Sequence, residues 1–136
     1  MNTENTQALA FIGDAVYELY VRERVASTGE QRPDRLHRMA EEFVRAESQA
    51  YAVKKLMEGF LTEDEFALVK RARNHKTPNR SRSAGPLEYK LATAFEALLG
   101  WLRENGQEER LAEVMKRAAD ITEVKGQAAD GAVRKA

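Results

Sequence analysis

The sequence is 136 residues long, enough for one domain with a real hydrophobic core and too few for a second module of ordinary size. Its 22 basic and 22 acidic residues cancel, which excludes a uniformly basic nucleic-acid coat and leaves any polyanion site to local segregation of charge. Cysteine is absent and histidine is limited to His37 and His75, so disulfides and thiolate chemistry are excluded, a zinc site would be hard to build, and a carboxylate-ligated hard cation is the favoured metal chemistry.

Apolar residues recur at spacings of three and four, strand-like alternation is absent and only three prolines interrupt, so the expected fold is all-α. Met1 to Gln7 is polar and lacks the regions of a signal peptide. No apolar run approaches the ~20 residues that span a bilayer, and the chain reads as cytoplasmic with no membrane partner. The first helix is expected from about Thr6 to Ser27, with Gly29 as its stop. Leu9 to Val21 is apolar around most of its circumference, which calls for enclosure by the chain's own core, by a partner chain, or by both. Within it Asp14 and Glu18 are stacked at i, i+4. Burying an unpaired carboxylate costs roughly several kcal/mol, so these acids reach water, are paired, or hold a cation. Gly13 in mid-helix costs about 1 kcal/mol relative to Ala, a cost that a close helix–helix approach beside Asp14 would justify.

Pro33-Asp34 opens a second helix, expected to continue to Gly59 with an apolar face through Leu36, Phe43, Val53 and Leu56 and a charged face of solvated ion pairs. Thr62 and Glu65 form a capping box that starts a third helix through Val69. From Arg71 to Arg82 no acid occurs, while Arg71, Arg73, Lys76, Arg80 and Arg82 are basic, and Asn74, Pro78 and Gly85-Pro86 mark a loop. That loop is either a solvated linker or a contact for phosphate. After Pro86 a helix carries the second acid in an apolar frame, Glu96, and a last amphipathic helix runs from Gln107 to about Thr122. The domain is thus expected over 6–122, with 123–136 an unstructured tail. If the two acid-bearing helices pack side by side, Asp14 and Glu96 could share one divalent ion; the alternative is that they pair with Arg22, Lys90 or another base and hold helices in register.

Ala10-Phe11-Ile12-Gly13-Asp14-Ala15-Val16 resembles the signature of the ribonuclease III catalytic domain, and Thr93-Ala94-Phe95-Glu96-Ala97-Leu98-Leu99-Gly100 resembles that family's late helix with its metal-binding glutamate. Leu36 to Met39 and Phe43 to Ser48 resemble the intervening helix more weakly. The likeness covers roughly residues 6 to 120 and is closest to Mini-III, the bacterial subgroup made of the catalytic domain alone. It implies a ribonuclease III-like helical fold and a magnesium-dependent endoribonuclease that cleaves double-stranded RNA, acting as a homodimer that trims the ends of the large-subunit (23S) ribosomal RNA precursor. On the matching positions, Asp14 and Glu96 would be catalytic and hold Mg2+. Arg71, Arg73, Asn74, Lys76, Arg80 and Arg82 would contact RNA, and Glu18, Thr93 and Lys90 would stand behind the metal ligands, Glu18 alternatively pairing with Arg22. The family typically has further acids where this sequence has Gln7, Ala10 and Thr93. That departure motivates a second reading, a degenerate fold that binds RNA without cutting it.

Overall fold

The computed structural model describes residues 5–75 and 85–135. Among the described residues there are six α-helices: α1 (Thr6–Ala26), α2 (Pro33–Val44), α3 (Ala46–Leu56), α4 (Glu63–Asn74), α5 (Pro86–Glu104) and α6 (Glu108–Lys135). No strand occurs among the described residues, as the expected all-α class requires.

The centre of the fold is α5, which packs against α1, α3, α4 and α6. Ala94, Phe95, Ala97, Leu98, Leu99 and Leu102 are withdrawn completely from solvent, because a helix enclosed all round must be apolar all round. On α1 the row Leu9, Gly13, Tyr17, Val21, Val25 repeats every four residues and is buried along its whole length. Where α1 crosses α5, a Cβ on Gly13 would collide with the backbone carbonyl of Glu96, and one on Gly100 with that of Leu9. These reciprocal contacts make the two helices antiparallel, and they supply the close approach that the mid-helix glycine called for. Beyond the crossing, Tyr17 meets Phe95 edge to face with centroids 4.9 Å apart. The enclosure expected of α1 is met by α5 on one side and α2 on another, while its outer face leaves Phe11 82% and Leu19 61% exposed.

Three expectations about the elements are corrected. The helix after Pro33 is two helices, broken at Arg45, whose backbone is extended (φ −63°, ψ 152°). Neither Pro nor Gly marks the break. The Ser48 hydroxyl donates to the Glu42 carbonyl at 2.6 Å and the Gln49 amide to the Val44 carbonyl at 3.1 Å, so side chains satisfy the carbonyls that α2 leaves open. The exposed face of α2 does carry solvated ion pairs, Arg38 with Asp34 and Arg45 with Glu42.

The helix that begins at the capping box, in which Glu65 and Thr62 bond reciprocally as expected, does not stop near Val69. It continues to Asn74, carrying Arg71, Arg73 and Asn74 out of the expected loop, since cations are favourable in a last turn and Ala72 is buried in the core. The loop residues Lys76, Arg80 and Arg82 lie outside the described residues.

Finally, the helix expected to end near Thr122 runs to Lys135. Two residues assigned to a tail touch the body. Arg24 of α1 bonds both Asp120 (2.8 Å) and Glu123 (3.0 Å), and the Lys125 ammonium sits 4.2 Å from the Tyr51 ring centroid. Among the described residues no helix is long and apolar enough to cross a membrane.

Candidate active site

Antiparallel packing of α1 on α5 at Gly13 sets Asp14 beside Glu96, close enough for their carboxyl groups to hydrogen-bond. The two acids line a cleft of about 430 Å3 between α1, α5 and the end of α4, with Thr6, Gln7, Ala10, Phe11, Ala72, His75, Tyr89, Lys90 and Thr93. All three positions at which the sequence departs from the family pattern, Gln7, Ala10 and Thr93, are on its wall.

The Glu96 carboxyl is pushed up to about 9, first by burial and then by the negative charge of Asp14, with a smaller contribution from Glu18. A hydrogen bond from Gln49 opposes the rise. Neither Asp14 nor Glu96 takes part in an ion pair among the described residues, so the pairing with Arg22 or Lys90 that the sequence left open does not occur there. Glu18 does pair with Arg22, at 3.3 Å. The Thr93 hydroxyl donates to the Tyr89 carbonyl at 3.0 Å. Lys90 is partly buried on the cleft wall, and Arg71, Arg73 and Asn74 stand on the last turn of α4, which ends at the His75 corner of the same cleft.

Gln49 was not among the residues singled out from sequence. It is 3% exposed and belongs to the α3 row Gln49, Val53, Leu56, all of it buried. A polar residue in such a row is the signal that was available. The break at Arg45 makes it useful, because α3 then starts afresh and packs against α5.

Two carboxylates pressed together, with neither ion-paired to a base, suit a hard divalent cation, which would replace mutual repulsion by shared attraction. No cluster of three or more His, Asp or Glu able to hold a metal occurs among the described residues. The donor set therefore fits an ion that takes one or two carboxylates and fills its remaining positions with water and phosphate oxygens, as Mg2+ does.

The helical fold and this pair of acids define a class, and the comparison with known families agrees: the Ribonuclease III domain matches residues 7–107. The chain belongs to the ribonuclease III family. Within it, the chain is 48% identical to Mini-ribonuclease 3 of Symbiobacterium thermophilum over 85% of this chain and 88% of that protein. It is 42% identical to Mini-ribonuclease 3 of Brevibacillus brevis over 90% of each. A crystal structure of a Fusobacterium nucleatum protein, 33% identical, superposes with a TM-score of 0.73 over 90% of this chain and 93% of that one.

Proposed function

We propose that this ribonuclease cleaves double-stranded RNA with Mg2+ held between Asp14 and Glu96, and that it matures the ends of the 23S ribosomal RNA precursor in the cytoplasm as a homodimer. One observation carries the reading: two acids far apart in the sequence meet in an open cleft with neither paired to a base among the described residues. When bound, the cation would supply charge neutralisation at the scissile phosphate and an acidified water for in-line attack.

The chain's own side chains do the rest. Asp14 and Glu96 would hold the ion through their oxygens, and Gln49, itself anchored on the Val44 carbonyl at 3.1 Å, favours the ionised form of Glu96 that the ion needs. Arg71, Arg73 and Asn74 contact phosphates beside the cleft, and Lys76, Arg80 and Arg82 extend that basic stretch. Selection rests on A-form shape and backbone contacts, because the deep major groove of RNA resists side chains. Support for the dimer comes from Phe11, Ala15 and Leu19, an exposed apolar row at i, i+4, i+8 on the outer face of α1.

The test is cleavage of a long RNA duplex by purified protein across a Mg2+ titration, with Asp14→Asn as the comparison. Cleavage should need Mg2+ and fall at least about 100-fold in the variant; undiminished cleavage by Asp14→Asn would overturn the assignment. The neutral residues Gln7, Ala10 and Thr93 in the cleft favour the second reading, an RNA-binding protein without activity, which predicts duplex binding and no product at any Mg2+ concentration.

A further inference from the structure

Along α5, Lys90, Thr93 and Glu96 follow one another at i, i+3, i+6, and all three line the cleft. At 1.5 Å per residue, Lys90 stands about 9 Å along the helix axis from Glu96. The interval between them is neutral: Thr93 carries no charge, and its hydroxyl donates to the Tyr89 carbonyl.

Lys90 differs from basic residues that are tied down along their own helices. Arg22, Lys55 and Lys116 each have an acid three or four residues away and pair with it. The corresponding neighbours of Lys90 are Pro86, Leu87, Thr93 and Ala94, so nothing along its own helix draws the ammonium aside. Asp14 stands across the cleft on α1 and Glu96 two turns along the same helix, yet Lys90 forms no ion pair with either acid. A lysine and two acids thus share one cleft of about 430 Å3 with no ion pair between them. Lys90 is partly buried on the wall and has no ion-pair partner among the described residues, and an anion entering the space between would give it one.

We propose that Lys90 is a catalytic residue of this site, its ammonium binding a non-bridging oxygen of the phosphodiester being cut, on the side of the phosphate away from Asp14 and Glu96. The role rests on the ribonuclease reading above. Lys90 forms no covalent bond and moves no proton. It faces charge that grows on the phosphoryl oxygens as water attacks phosphorus and the bond to the leaving oxygen breaks, so its contribution is larger in the transition state than in the bound duplex. The neutral Thr93 is part of the arrangement, because a carboxylate there, three residues on, would pair with the ammonium and withdraw it from substrate.

The chain has no cysteine, which permits a direct test of the charge. In Lys90→Cys the single-turnover rate on a long RNA duplex with Mg2+ should fall about 100-fold. The duplex dissociation constant and the melting temperature should stay close to those of the unsubstituted protein. Alkylating the new thiol with 2-bromoethylamine, which rebuilds an ammonium at the same reach, should recover most of the rate, whereas the neutral adduct of iodoacetamide should not. A Lys90→Cys rate close to the unsubstituted one, or equal rates for the two adducts, overturns the role while leaving the ribonuclease reading in place. If the unsubstituted protein leaves the duplex intact at every Mg2+ concentration, the reading and this role fall together.

Discussion

Glu65 and Glu96 are both glutamates drawn out of solvent, and their carboxyls titrate in opposite directions from the same starting point. Burial alone would raise Glu65, but Arg110 donates to it through Nε at 2.9 Å and Nη2 at 2.8 Å, the Thr62 amide adds a third bond at 2.9 Å, and its carboxyl is held below the ordinary range. Arg110 is fixed in turn by the Phe60 carbonyl at 2.9 Å. Glu96 has a neutral amide and another acid for neighbours, and it is pushed up to about 9. The first is a clamp that joins α4 to α6. The second is held in an environment that opposes its charge, which is the mark of a group kept for what it binds.

Exchanging each glutamate for its neutral isostere should separate the two roles. Glu96→Gln should lower duplex cleavage at least about 100-fold while leaving the denaturant midpoint at pH 8 unchanged or raised, because folding no longer has to return a proton to a carboxyl that the unfolded chain has ionised. A marked loss of stability would make Glu96 structural and break the contrast. Glu65→Gln should do the reverse. It strips the charge from a buried pair at a cost of about 3 kcal/mol, readable as a lowered midpoint, and cleavage per folded molecule should be retained.

A substitution between these extremes is Gly13→Ala, which adds a methyl where α1 touches the Glu96 carbonyl. Overpacking of this kind costs about 1–3 kcal/mol, and it should also lower cleavage by moving Glu96 away from Asp14. Full activity with normal stability would show that the crossing is looser than the glycine pair indicates.

How much of this was legible in the sequence differs residue by residue. The Glu65 clamp was half readable: the Thr62 and Glu65 capping box is a local spacing, but its partner Arg110 comes from α6, and no local pattern names it. Gly13 announced the crossing because a glycine inside a helix has to be accounted for, whereas the break at Arg45 was hidden, being made by Ser48 and Gln49 side chains where a proline or glycine would have been visible. The length of α6 was misread for a similar reason. Glu123 and Lys125 look solvated in sequence, and only the folded arrangement gives them Arg24 and Tyr51. Asp14 and Glu96 were conspicuous as acids in apolar runs, and Gln49, neutral and inconspicuous, was not.

The pH dependence of stability tests the electrostatics of the pair most directly. Between the ordinary glutamate value of 4.5 and about 9 the folded protein keeps a proton on Glu96 that the unfolded chain has released. Stability therefore falls as pH rises through that window, since the state with more bound protons is disfavoured as protons become scarce. Glu65 acts with the opposite sign and lower down: its lowered carboxyl contributes stability above the ordinary range and loses it as pH falls through the folded value. Denaturant midpoints measured in chelator from pH 5 to 9 should fall for the unsubstituted protein and stay flat for Glu96→Gln. Millimolar Mg2+ should flatten the unsubstituted curve as well, because a cation between the two acids favours the same ionised form that rising pH produces. An identical slope in Glu96→Gln would move the titration to another group, and a slope untouched by Mg2+ would mean that the ion does not bind where the two carboxylates meet.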